Sequence, residues 1–289
     1  MKFLEFPQHD DFDLIRALSI RAALKSYPLL LAQLQRIESQ YRHYEVCRGN
    51  AWALDAPLPL LAELSAALKI HYQNPPNGLE IIQAIRNLAS PTVCPMCGSP
   101  KPSQVDHVVP KDIYPEFSFY SRNLVPACDC NGLKKLIFKG EHPGERILHP
   151  YYDEVMKQRL AYFYFSGNFE SPDVVLLISP DHRMNVAVQF HVEHILRKTR
   201  IFYWVNSKWA TLLRKPEKFF PALKYFPENV EINTFVTVVQ EQLNNADEIY
   251  ETPNNWESMM LMGILQSYHA MNFLVGHINM LRSGELLPD

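Results

Sequence analysis

Five cysteines in 289 residues are too few for a secreted domain built on disulfides, and an odd number leaves one over. No apolar run is long enough to span a bilayer and no charged-then-apolar leader opens the chain, so a soluble, cytoplasmic protein without a membrane partner is expected. Internal repeats and low-complexity tracts are absent, which argues against a solenoid or a disordered tail. There is no excess of positive charge either: at a net charge of -3, any nucleic-acid-binding surface has to be confined to one face.

What the chain does have is apolar material. Hydrophobic residues make up 47%, with 16 Phe, 14 Tyr and 4 Trp, enough to build a packed interior. From Asp11 to Ala89 apolar residues recur at three and four, as in Leu14, Leu18, Ala22 and Leu30, Leu34, Ile37, Tyr41, which predicts helices. Pro28, Pro57 and Pro75-Pro76 cannot sit cheaply inside helices, so they divide this region into about four. From Ser90 to Pro150 prolines and glycines punctuate short segments; Gln104 to Val109 reads as a strand and Asn131 to Phe138 as the start of a helix. Beyond Tyr151, the runs Leu160 to Phe165, Val174 to Ile178 and Val186 to Phe190 read as a small strand meander, and helical spacing then returns. Three segments follow: 1–90 helical, 91–150 a compact module, and 151–289 strands then helices.

The chemistry-bearing residues are concentrated in the module. Cys94-Pro-Met-Cys97 is followed by Val105-Asp106-His107-Val108-Val109-Pro110-Lys111, then Asn123-Leu124-Val125-Pro126-Ala127-Cys128-Asp129-Cys130-Asn131, then Lys134-Lys135. Paired cysteines at such spacing suit a structural Zn²⁺, which in a module with little core replaces missing hydrophobic burial. Cys47 stands apart and reads as a small buried side chain in a helix.

In this order the residues closely resemble the HNH endonuclease family, over roughly 45 residues of the chain. The resemblance implies an α+β fold, a mainly helical protein carrying a central ββα-metal (HNH) zinc module. It implies a phosphodiester hydrolase with His107 as general base and Asp106 and Asn131 as ligands of a catalytic Mg²⁺ or Mn²⁺. Asn123 would brace the loop that carries the base. The chemistry is coherent: imidazole accepts a proton from water near neutral pH, and a hard cation needs only one or two protein oxygens beside a phosphate. Zinc would be held by Cys94, Cys97, Cys128 and Cys130. The second pair departs from the family's CxxC spacing, so His142 or His149 is a possible replacement for one thiolate.

Phosphate contacts are expected from Lys111, Arg122, Lys134, Lys135 and Lys139. The expected partner is nucleic acid, DNA before RNA, with an ATPase subunit of an anti-phage defence complex as a further partner. His149-Pro-Tyr-Tyr-Asp153 also looks like a stretch following the motif in Septu-type and retron-associated HNH proteins, although a turn and helix start explains it as well. Two alternatives stand: an RNase, for example on transfer RNA, or a non-catalytic zinc-knuckle subunit that binds a partner. His182, His191, His194, His269 and His277 read as structural or surface residues.

Overall fold

The computed structural model describes residues 1–87, 92–100, 102–226 and 229–285, so the expected boundary at residues 90 and 91 lies outside the described residues. The first region forms α1 (Asp11–Ser19), α2 (Leu29–Val46), α3 (Ala62–Gln73) and α4 (Ile81–Arg86), with the prolines outside the helices. Asp10 caps α1 by accepting from the amides of Phe12 and Asp13, satisfying donors that the first helical turn leaves free. Along α2, Leu30, Ile37, Tyr41 and Tyr44 return to one buried face at spacings of seven, four and three.

That face is aromatic, and it holds the loop that later matters for the site. Tyr41 stacks on Tyr120 at 4.1 Å, and Tyr44 meets Phe117 edge-on at 4.9 Å. The loop between the two strands of the central module is thereby pinned to α2.

Those strands, β1 (Gln104–His107) and β2 (Leu124–Ala127), pair antiparallel with Asp106 opposite Val125 and His107 opposite Leu124. The short helix α5 (Cys130–Lys134) follows directly, and α4 packs across both strands. A second antiparallel pair, β3 (Ala161–Ser166) and β4 (Asp173–Ile178), turns at Gly167 and is covered by α10 (Trp256–Gln266). Gly263 makes that covering possible, since a Cβ there would lie 2.2 Å from the carbonyl oxygen of Phe163.

The third strand expected after Tyr151 is not a strand. Val186 to Phe190 lies in α6 (Val186–His194), because the Asn185 side chain accepts from the amide of Val188 and starts a helix there. Apolar residues in VAVQF imitate a strand, but a cap on the residue just before them overrides the pattern. The rest is helical: α7 (Ile201–Arg214), the single turn α8 (Pro216–Phe219), α9 (Ile232–Ile249), α10 and α11 (Tyr268–Ser283). The architecture is mixed α and β with small antiparallel sheets, and one apolar interior runs from Met1 through the central module to Ile278. Among the described residues no helix is long and apolar enough to cross a membrane.

Candidate active site and metal centre

The four clustered cysteines meet. Their Sγ atoms all lie within 4.8 Å of one another, with 3.6 Å between Cys94 and Cys130 and 3.4 Å between Cys97 and Cys128. A tetrahedral zinc with sulfur at about 2.3 Å places its ligands about 3.8 Å apart, so the set fits one ion. The CxC pair works because it straddles a corner: β2 ends at Ala127 and α5 begins at Cys130. The amides of Cys128 and Cys130 donate to the sulfurs of Cys94 and Cys128.

Histidine is not needed in this set. His142 is exposed, and His149 is fully buried elsewhere, bonded to Tyr44 and to the amide of Tyr151. The replacement of a thiolate by either one is therefore overturned. The Cys94–Cys97 turn is clasped from afar: Trp256 Nε1 donates to the Cys97 carbonyl at 2.7 Å, and His191 Nε2 to that of Met96 at 2.7 Å. Gly98, with φ +77°, permits the close fit, since a Cβ there would sit 2.1 Å from the Asn254 carbonyl oxygen.

Asp106, His107 and Asn131 line one cleft of about 360 Å³, together with Lys111, Lys135, Tyr72 and Arg86. Strand alternation predicts opposite directions for Asp106 and His107, yet both reach this cleft, because β1 stops at His107 and the chain bends at Val108. His107 Nε2 lies 2.8 Å from the carbonyl oxygen of Ser118. A carbonyl only accepts, so Nε2 carries the hydrogen and Nδ1 keeps its lone pair, with no partner among the described residues. Burial pushes the His107 pKa down to about 3, which holds the ring neutral at pH 7. An anionic phosphate in the cleft would favour the imidazolium and raise that basicity where a proton must be taken.

Asp106 is buried, which raises its pKa, and the Lys134 ammonium 3.1 Å from Oδ2 works against that rise. Oδ2 has this charge beside it but no aligned hydrogen bond. Asn131, in the first turn of α5, has a side-chain amide without a hydrogen-bond partner among the described residues. A buried carboxylate with an unsatisfied oxygen and a free amide oxygen on one cleft form a donor set that suits a hard divalent cation.

Asn123 does not line the cleft. It is fully buried: Oδ1 accepts from the Val109 amide at 2.8 Å, and Nδ2 donates to the carbonyls of Val109 at 2.9 Å and Phe117 at 3.3 Å. It thus ties together the two ends of the loop between His107 and Ser118.

The five expected phosphate-binding cations part company. Lys111 and Lys135 line the cleft. Lys134 is 2% exposed, ion-paired with Asp106 and bonded to the His107 carbonyl, so it belongs to the frame of the site. Arg122 lies in another cleft, 3.2 Å from Glu45 and over the ring of Phe6. Lys139 sits over Trp52 and donates to the Ala51 carbonyl. Sequence reading missed Tyr72 and Arg86, which α3 and α4 bring to the cleft; Tyr72 meets the His107 ring edge-on at 4.4 Å and bonds the Val105 carbonyl. No local pattern marks either residue.

Three histidines are held neutral by burial: His107 and His149 with pKa lowered to about 3, and His191 to about 4. Unfolded, each binds its proton near 6.5, so between pH 6.5 and 4 the unfolded state binds more protons and stability falls as pH falls. Glu116, raised to about 7 by burial, opposes this with one proton over its own window from 7 down to 4.5. These four groups alone amount to a loss of about two protons' worth, on the order of 3 kcal/mol per pH unit, in the interval from 6 to 5; Asp11 and Asp106, also raised by burial, reduce it, and His71, lowered by burial, adds to it. Denaturant melts across that range check it; a flat profile would contradict the neutral assignment of these rings.

Comparison with known proteins adds one partial match. No family model matches the chain, and no solved structure matches it. The chain is similar to Protein ea31 of Escherichia phage lambda, 41% identical over 81 residues, which make up 27% of this chain and 26% of that protein. The chain thus matches about a quarter of the length of this curated relative.

Proposed function

We propose that the chain is a metal-dependent endonuclease of the HNH class that hydrolyses phosphodiester bonds, DNA before RNA. The observation that carries this reading is one cleft lined by a neutral imidazole with a free Nδ1, a buried carboxylate and a free amide oxygen. Asp106 and Asn131 would hold Mg²⁺ or Mn²⁺, and the ion would offset charge on the phosphate and the leaving oxygen. His107 Nδ1 takes a proton from water as the water oxygen bonds to phosphorus and the bond to the leaving oxygen breaks. Lys111, Lys135 and Arg86 offer positive charge along the cleft for the flanking phosphates. The resemblance of His149-Pro-Tyr-Tyr-Asp153 to a stretch of anti-phage HNH proteins extends the proposal to anti-phage defence and to an ATPase partner that licenses cleavage.

A second reading, the non-catalytic zinc-knuckle subunit, is favoured by one contact: Lys134 already neutralises Asp106. The two separate in one assay. Purified zinc-loaded protein is incubated with supercoiled plasmid and with total RNA, with Mg²⁺, with Mn²⁺ or with EDTA. Cleavage that needs the divalent ion supports the enzyme, and the preferred polymer sets the substrate class. Tight binding of nucleic acid without cleavage under every condition would leave the binding subunit.

A further inference from the structure

The stretch His149-Pro-Tyr-Tyr-Asp153 has no place in the cleft, yet hydrogen bonds join its half-buried Asp153 and fully buried His149 to Asn123. Arg146 grips Asp153 through two bonds of 2.6 Å, and Asp153 Oδ2 accepts the His149 amide at 2.6 Å. The Tyr151 amide donates to His149 Nδ1 at 3.2 Å, so that nitrogen is the acceptor and Nε2 carries the hydrogen. Nε2 then donates to the Tyr44 oxygen at 2.9 Å, and the Tyr44 hydroxyl donates to Asn123 Oδ1 at 3.0 Å. Each bond has only one possible direction, because a backbone amide sets the polarity at the far end.

The consequence falls on the base. Tyr44, His149 and Asn123 are all fully buried, so no water competes for these bonds. The Val109 amide fixes which way the Asn123 amide faces, and Tyr44, as the second donor to Oδ1, holds it in the place where it keeps Val109 and Phe117 in register. Phe117 adjoins Ser118, whose carbonyl fixes the tautomer of His107. We propose that Tyr44 and His149 are positioning residues for His107, acting through Asn123 and the loop between Val109 and Ser118. The inference rests on the nuclease reading for its effect on rate, but not for its effect on the His107 ring.

Around metal sites, removing the hydrogen-bond partners that orient a ligand typically costs 10–100-fold in affinity or activity, and the same scale is expected for partners that orient a base. Tyr44→Phe, which keeps the ring and deletes only the hydroxyl, is therefore expected to lower kcat by about 10–100-fold with KM nearly unchanged. His149→Ala should do the same, and His149→Gln should recover most of the rate, because its amide can donate to Tyr44. Tyr120→Phe is the control: it deletes a hydroxyl from the same aromatic cluster that bonds only Tyr41 and Glu45, and it should leave kcat alone. Imidazole ¹⁵N NMR on the full chain gives the second readout. His107 should be a single Nε2–H tautomer in the wild type and in Tyr120→Phe, and a mixture in Tyr44→Phe. A mixed tautomer in Tyr44→Phe supports the proposal even if the chain cuts no substrate, an outcome that would count against the nuclease alone. An unchanged His107 signal in Tyr44→Phe, or rate losses that simply follow stability in Tyr44→Phe and Tyr120→Phe alike, would overturn it.

Discussion

His107→Ala is expected to lower divalent-dependent cleavage by about 10²–10⁴-fold, the range a positioned general base supplies. The geometry makes the loss specific to one atom. Nε2 is committed to the Ser118 carbonyl, so Nδ1 is the nitrogen that can accept a proton. Alanine also leaves that carbonyl unpaired in a buried place, which costs about 1–3 kcal/mol and would blur the result. His107→Gln separates the two effects, since its amide can donate to the same carbonyl but accepts no proton at neutral pH. Both variants should lose cleavage, and His107→Gln should melt closer to the wild type. The measurement is plasmid nicking with Mg²⁺ beside a thermal melt. Wild-type cleavage by His107→Gln would remove the imidazole from the mechanism.

The parts of this molecule that were readable in its sequence are those whose signals are local. Proline positions separate α1 to α4 because proline excludes itself from helix interiors. Cysteine spacing foretells a four-sulfur cluster because one tetrahedral ion demands ligands from two short turns, and even the unusual Cys128–Cys130 pair comes together with Cys94 and Cys97 in a set that could hold a metal. Lys134 shows the opposite case. A lysine defaults to the surface, and nothing in its neighbours says that α5 turns it inward onto Asp106. Tyr44, Tyr72 and Arg86 were equally silent, being members of helical patterns whose apolar spacing explains them without reference to a site some tens of residues away. Convergence of distant elements is a property of packing, and a single sequence carries no direct record of it.

The same distinction separates the sulfur cluster from the proposed oxygen site. Under the proposed function, a catalytic cation would take oxygen donors from Asp106, Asn131 and a phosphate, and so few protein ligands would hold it only modestly. The sulfur cluster is closed and buried, the arrangement of a structural rather than a catalytic zinc site. Because α5 starts at Cys130 and carries both Asn131 and Lys134, an ion held by the sulfurs would also set where those two side chains stand.

Loss of the metal at Cys94, Cys97, Cys128 and Cys130 is accordingly expected to damage the fold and the cleft together. In small zinc-binding peptides the ion contributes roughly 10–16 kcal/mol to folding. Here a continuous apolar interior shares the burden, but the cluster is also where distant segments close: the Lys2 amide on Pro95, His191 on Met96, and Trp256 on Cys97. A loss of about 5 kcal/mol corresponds to a fall in Tm of about 10 °C or more for a chain of this size. Cys94→Ser and Cys128→Ser should therefore melt at least that much lower, lose one bound zinc per chain, and lose cleavage. Cys47→Ser, outside the cluster, should change none of these. A strong chelator should reproduce the effect on the wild type, with recovery on adding Zn²⁺ and none on adding Mg²⁺. Elemental analysis with a melting curve decides it: a metal-free wild type whose Tm is indifferent to Cys94→Ser would mean that the four sulfurs pack as thiols and hold nothing.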